Sequence, residues 1–216
     1  MTINTPHPRF ADRAAAGRAL ALAVVELDLV DPIVLGLPRG GVPVAAAVAE
    51  RMGAPLDVFV VRKLGVPGRS ELAFGALGPG DTVVLNDDVV ASYALSSAQM
   101  AAVIDTERQE IDRRMSAYRG DRPAPSLSGC TVVLVDDGLA TGATMRSAVA
   151  AVGAADPLRV VVAVPVAAPE TARRVRESVD DLVVLATPAD FFAVGQWYDD
   201  FAQTSDEEVR DLLAVE

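Results

Sequence analysis

Short, nearly unbroken apolar runs alternate along this chain with longer segments of helical periodicity. Ile33–Leu37, Leu56–Val61, Thr131–Val135, Val160–Val166 and Leu182–Ala186 hold almost no charged residues, the pattern of strands buried on both faces. Between and around them, residues 10–29, 42–52, 143–152 and 169–179 read as helices. Ser96 with Gln99, and Ser205 with Glu208, have capping-box spacing. The first predicts a long helix reaching to about Tyr118, with a solvated charged face, and the second a C-terminal helix. Strand, turn, helix and strand in the first sixty residues form a βαβ unit. The alternation predicts one α/β domain over residues 1–216, built on an open, mainly parallel twisted sheet with helices on both faces. Residues 64–81 break the pattern with Gly65, Pro67, Gly68, Gly75, Gly78, Pro79 and Gly80. This composition predicts a mobile loop containing a short strand at Ala73–Leu77, followed by a further strand at Thr82–Asn86.

Composition narrows the chemistry. The chain has 216 residues, 51% hydrophobic and 23% charged, with a net charge of -11. That balance is globular, and the acidity argues against a nucleic-acid groove, which needs clustered Lys and Arg. Cys130 is the only cysteine and His7 the only histidine, so intrachain disulfides, cysteine zinc sites and histidine relays are excluded or disfavoured. Any catalysis falls to carboxylates, Arg, Lys, Tyr, backbone groups or a hard metal ion. The apolar run Ala19–Val25 lies between Arg18 and Glu26 and is too short for a membrane span. No signal peptide is read, and a cytoplasmic location is expected.

The sharpest chemical signal is Val132-Val133-Leu134-Val135-Asp136-Asp137-Gly138-Leu139-Ala140-Thr141-Gly142-Ala143-Thr144. A buried strand ends in two adjacent acids, and a turn of small and hydroxyl residues leads straight into a helix. Ligands of open α/β sheets gather at the carboxyl ends of strands. A helix N-terminus offers unpaired N–H groups and a positive dipole end to an anion. Thr141 and Thr144 can donate hydroxyls to phosphate oxygens, and Asp136 and Asp137 are acceptors suited to a vicinal diol. An ordinary helix cap would explain the acids alone, but not the whole string.

This string resembles the signature of the type I phosphoribosyltransferases, which bind 5-phosphoribosyl-1-pyrophosphate (PRPP). The resemblance implies that Asp136 and Asp137 hold the ribose hydroxyls, and that Ala140, Thr141, Gly142, Ala143 and Thr144 cradle the 5-phosphate. It also implies Mg²⁺ as cofactor, pyrophosphate as product and a small-molecule acceptor, with neither nucleic acid nor membrane as partner. A homodimer is compatible with it.

Gly36-Leu37-Pro38-Arg39-Gly40-Gly41 follows the first strand. Its glycines allow successive N–H groups to converge on an anion, and Arg39 adds a forked cation. The segment is similar to the family's pyrophosphate loop, where a cis peptide is common; the bond next to Arg39 is the candidate here. Lys63 is the only lysine, the other 18 of the 19 basic residues being Arg, and Arg62-Lys63 resembles the pair preceding the catalytic loop of orotate enzymes. The likeness makes Arg39, Lys63 and Asp137 the catalytic candidates, with Arg39, Gly40, Gly41, Arg62 and Lys63 on pyrophosphate. Arg69 and Glu71 would close over the site.

Phe191, Phe192, Trp197, Tyr198 and Phe201 cluster near the C-terminus. Matching Val194-Gly195 to hypoxanthine-type members implies a small hood from the terminal segments, mainly residues 187–204. It sets Phe192 or Trp197 against a flat acceptor and Asp199 on the metal. Ala140 stands where 6-oxopurine enzymes carry an Asp, which disfavours those purines as acceptor. The alternative function is a non-catalytic PRPP or nucleotide sensor, against which the Arg62-Lys63 pair and the absence of a basic stripe both count.

Overall fold

The computed structural model describes residues 9–80, 82–120 and 122–214, with the side chain of Ser70 left out. His7 and Asp81, both part of the sequence reading, lie outside the described residues. The elements in chain order are α1 (Arg13–Val25), β1 (Pro32–Gly36), α2 (Gly41–Met52), β2 (Leu56–Val58), β3 (Arg62–Val66), β4 (Arg69–Leu77), β5 (Val83–Leu85), α3 (Asp87–Ser92), α4 (Ser97–Arg119), β6 (Thr131–Val135), α5 (Ala143–Gly153), β7 (Arg159–Val166), α6 (Pro169–Arg176), β8 (Asp181–Ala186) and α7 (Asp206–Leu213).

Five strands form the parallel sheet, in the order β2-β1-β6-β7-β8. The two-residue side-chain period sorts each strand onto two cores. Val133, Val135, Val161 and Ala163 pack with Leu20, Val24, Val44 and Val48 of α1 and α2. Val132, Leu134, Val160 and Val162 pack with Met145, Ala148, Val152, Ala172 and Val175 of α5 and α6. Both faces are covered, which is why these strands read as continuous apolar runs.

Strand order also places a crevice. From β1 the chain crosses through α2 to β2 on one side; from β6 it crosses through α5 to β7 on the other. The two crossover helices pack on opposite faces. The carboxyl ends of β1 and β6, hydrogen-bonded neighbours in register from Pro32↔Thr131 to Gly36↔Val135, therefore flank the switch point where such sheets bind ligands.

Residues 64–81 do not form the expected mobile loop. Their described part is a β3–β4 hairpin, extended by β5 into a separate antiparallel sheet. Leu64, Val66, Phe74 and Leu77 are buried against Ile111, Met115 and Tyr118 of α4 and Val209 and Leu213 of α7. The expected Ala73–Leu77 segment is the end of β4, and Thr82–Asn86 supplies β5 to this second sheet. Ser96 and Gln99 close the capping box of α4 as its sequence predicts. Among the described residues no helix is long and apolar enough to cross a membrane.

Candidate functional site

Two loops meet at the switch point. The first runs from the end of β1 through Leu37–Gly40 into α2, and its Pro38–Arg39 peptide bond is cis. Leu37 N–H donates to the Val135 carbonyl (2.9 Å), tying the loop to the end of β6. Gly40 and Gly41 are there because nothing larger fits. A Cβ on Gly40 would overlap Asp137 Oδ2, and one on Gly41 would sit 2.6 Å from the Val135 carbonyl oxygen. The glycine loop thus lies directly on the paired acids.

The second loop carries those acids. Asp136 Oδ1 accepts from the Asp137 N–H at 2.9 Å. Leu139, buried, is pinned to the end of β7: its N–H donates to the Val166 carbonyl, and its carbonyl accepts from Ala168 N–H, each at 2.9 Å. Thr171 Oγ1 donates to the Ala140 carbonyl (2.6 Å), and Arg146 to the Thr141 carbonyl (2.8 Å). The turn's carbonyls are consequently drawn toward the protein. Its N–H groups at Ala140, Thr141 and Gly142 find no acceptor among the described residues. Gly142, at φ 68°, supplies the left-handed residue that starts α5 and has no side chain to cap it, so the Ala143 N–H reaches only the Thr141 hydroxyl, at a long 3.4 Å. Ala140, Thr141 and Thr144 are exposed. An anion can reach this cluster of donors.

Burial raises the Asp136 carboxyl well above the usual aspartate range, and the neighbouring Asp137 charge adds to it. Asp137 is also raised by burial, against the opposing pull of Arg13. Arg13 Nε lies 2.9 Å from Asp137 Oδ2, the side chains being 12% and 15% exposed. Tyr198 donates its hydroxyl to the Asp137 carbonyl at 2.6 Å, and burial, then the Asp137 charge, raises its pKa. Neither Arg13 nor Tyr198 stands out in the sequence. Arg13 did leave one trace: a cation at the first position of a helix opposes the macrodipole, so its presence calls for a partner elsewhere.

Lys63, Arg62, Arg69, Glu71 and Thr144 line one cavity of about 760 Å³, with Val103 and Glu107 of α4 on its wall. The cations expected near pyrophosphate and the end of the 5-phosphate turn are thereby brought together. Lys63 is exposed and its Nζ donates to the Glu71 carbonyl (3.3 Å), while Arg62 is paired with Glu107 at 2.6 Å. Arg39 departs from expectation. Its guanidinium is directed away from the acids to Asp206 of α7, 3.9 Å distant, and lines a separate cavity with Arg113, Arg114 and Tyr118.

The aromatic segment divides. Trp197 is 7% exposed and packs with Ala16, Val166 and Tyr198, so its ring is core and not a stacking surface. Phe192 is 88% exposed, on a turn held by Gln196, whose Oε1 accepts from the N–H groups of Phe192 and Ala193. Asp199 is exposed beside Arg9, 4.0 Å away. Among the described residues no three His, Cys, Asp or Glu side chains form a metal-holding cluster.

An α/β sheet whose switch point offers unpaired turn amides beside two acids belongs to the class of open-sheet folds that can receive an anionic ligand at the strands' carboxyl ends. A family model described as a phosphoribosyl transferase domain matches residues 94–200. Two curated Mycobacterium tuberculosis proteins, with provisional phosphoribosyl transferase names, are 50% identical over 204 residues, which is 94% of this chain and 46% of each relative. The chain thus spans about half the length of these relatives. The crystal structure of TT1426 from Thermus thermophilus matches with a TM-score of 0.88 at 46% identity, covering 95% of this chain and 97% of that one. A Neisseria gonorrhoeae protein with bound ppGpp shares the fold alone, at TM-score 0.52 and 14% identity over 96% of this chain and 97% of that one. The chain belongs to the type I phosphoribosyltransferase family.

Proposed function

We propose that the chain transfers ribose 5-phosphate from PRPP to a small-molecule nucleophile, releasing pyrophosphate. The observation that carries this reading is the 140–144 turn, whose Ala140, Thr141 and Gly142 N–H groups have no acceptor among the described residues and which closely follows the Asp136-Asp137 pair. The 5-phosphate would accept from these amides and from the hydroxyls of Thr141 and Thr144. Free oxygens of Asp136 and Asp137 would accept from the ribose hydroxyls. Pyrophosphate would lie against the backbone of Gly40 and Gly41, with Lys63 and Arg62 neutralising it from the cavity side. Arg39 would join them on leaving Asp206.

The bond between C1 and the pyrophosphate oxygen breaks with its electron pair leaving on pyrophosphate, and oxocarbenium character develops on the ribose. The acceptor's lone pair forms the new bond at C1, and its proton passes to solvent or to a carboxylate, for which Asp137 is the candidate. The catalytic contribution of the chain is placement of charge around the leaving group. The β3–β4 hairpin walls the cavity and limits water, which would otherwise hydrolyse the sugar phosphate. Mg²⁺, when bound, neutralises polyphosphate charge. An ion carried by polyphosphate takes most of its ligands from phosphate and water and needs only one or two carboxylates. Asp199, exposed within residues 187–204, would be such a carboxylate. Residues 187–204 act as the hood, with Phe192 set against the acceptor.

Pyrophosphate release from Mg-PRPP, assayed across nucleobases and other ring-nitrogen acceptors, tests the reading. Acceptor-dependent release that is lost in Asp137→Asn is expected. Tight PRPP binding with no release for any acceptor would make the chain a sensor, and no binding at all would end the PRPP reading.

A further inference from the structure

The Asp137 carboxylate is held by a residue 124 positions away in sequence, and the same residue grips the C-terminal segment. Arg13 donates through Nε to Asp137 Oδ2 (2.9 Å) and through Nη1 to the Ala202 carbonyl (2.6 Å). Its guanidinium also lies over the Phe201 ring, 3.9 Å from the centroid. Phe201 packs on Tyr198 with ring centroids 5.0 Å apart, and the Tyr198 hydroxyl returns to the Asp137 carbonyl at 2.6 Å. The contacts close a circuit: Asp137 side chain, Arg13, Phe201, Tyr198, Asp137 backbone. The glycine loop touches it too, since a Cβ on Gly40 would come within 3.2 Å of Arg13 Nε.

We infer that Arg13 is a positioning residue for sugar recognition: it fixes the rotation of the Asp137 carboxylate and ties that grip to residues 198–202. The inference rests on the proposed PRPP reading. With Oδ2 held by Arg13, Oδ1 is the oxygen left to accept from a sugar hydroxyl. Without Arg13 the carboxylate can turn, and neither oxygen has a fixed address. Arg suits the task because its planar fork serves a carboxylate and a carbonyl from different edges while its face covers an aromatic ring. The effect is on the diol alone. Arg13 hydrogen-bonds to Asp137 and Ala202, and no bond from it to the 140–144 turn or to the glycine-loop backbone is among those of the described residues.

That separation supplies the test. Mg-PRPP and Mg-pyrophosphate are titrated by calorimetry into the wild-type chain, Arg13→Lys and Arg13→Met, with melting curves for each. Loss of one charge-assisted positioning contact weakens PRPP about 10- to 100-fold in Arg13→Met, while pyrophosphate affinity stays at the wild-type value. Arg13→Lys recovers part of the loss, since one ammonium cannot serve both Asp137 and Ala202. Equal weakening of both ligands assigns Arg13 a merely structural role and overturns the inference, as does unchanged PRPP affinity. Should Arg13→Met fail to fold, the ratio of the two affinities in Arg13→Lys decides by the same criterion. A wild-type chain that binds pyrophosphate but not PRPP overturns the ribose reading and this inference with it; a wild type that binds PRPP and variants that match it overturn the inference alone.

Discussion

The ion pair between Asp57 and Arg119 offers the cleanest measure of how the second layer is fastened to the parallel sheet. Asp57 lies in β2, and Arg119 is the last residue of α4. Their closest contact is 2.6 Å, both side chains are 11% exposed, and Asp57 Oδ1 also accepts from the Val58 N–H at 2.8 Å. Replacing Arg119 by Met keeps an apolar stem of similar length but strands a buried carboxylate, a change that costs about 3–5 kcal/mol in such sites. The retained Val58 contact places the expected loss at the lower end, about 3 kcal/mol. For a chain of this length each kcal/mol moves the melting temperature by about 2–4 °C, so Arg119→Met should melt about 6–12 °C lower. The pair itself need not be strongly stabilising, because desolvation offsets most of the attraction. Asp57→Leu combined with Arg119→Met should therefore return to within about 1 kcal/mol of wild type. Thermal and urea unfolding at pH 7 measure the two single mutants, Arg119→Met and Asp57→Leu, and the double mutant. A single mutant that melts within about 1 °C of wild type, or a double mutant worse than the sum of the singles, would refute the claim that burial makes each partner depend on the other.

Three further outcomes follow from the same geometry. Burial raises the Asp136 carboxyl above its ordinary value of 3.8, so the folded state holds that proton more tightly than the unfolded state. Its contribution to stability is full below the unfolded pKa and is lost as pH rises through the folded one. Asp136→Asn, which keeps an acceptor for the Asp137 N–H, should then raise the melting temperature at pH 7–8 and not at pH 3 while abolishing PRPP binding; an equal gain at both pH values contradicts the sign. Gly41→Ala places a methyl 2.6 Å from the Val135 carbonyl oxygen, backbone against backbone, and should cost about 1–3 kcal/mol with loss of pyrophosphate affinity by calorimetry; wild-type stability would show that the loop shifts freely. Phe192→Ala removes a ring that is 88% exposed, so stability should stay within about 0.5 kcal/mol while KM for the acceptor rises, and unaltered acceptor kinetics would take Phe192 out of the hood.

What the sequence disclosed, and what it hid, follows the range of the interactions concerned. Strands β1, β6 and β7 were legible because burial on two faces leaves no polar position beyond their first residues, and the α4 and α7 starts because their caps are local. The 140–144 turn was legible for the same reason: strand, acids, turn and helix are consecutive. Residues 64–81 were misread because glycine and proline content outweighed a better signal. Val66-Pro67-Gly68-Arg69 has Pro and Gly at the two central positions of a tight turn, and Gly68 adopts φ 75° between strands that pair from Arg62↔Leu77 to Val66↔Arg69. Gly75, within the expected Ala73–Leu77 strand, permits close strand approach: a Cβ there would collide with the Val84 carbonyl oxygen. The direction of Arg39 and the burial of Trp197 had no local signature, and the reach of Arg13 left only its unfavourable place at a helix start. Aromatic residues in irregular segments carry no period that separates inside from outside, and a long cationic side chain can turn toward either of two acids far away in sequence. The 140–144 turn and the paired acids are thus written in one continuous stretch, whereas the side chains that hold Asp137 come from α1 and the segment around Tyr198. Substitutions at Arg13 or Tyr198 can therefore disturb the setting of Asp137 without touching a single residue of the 132–144 string.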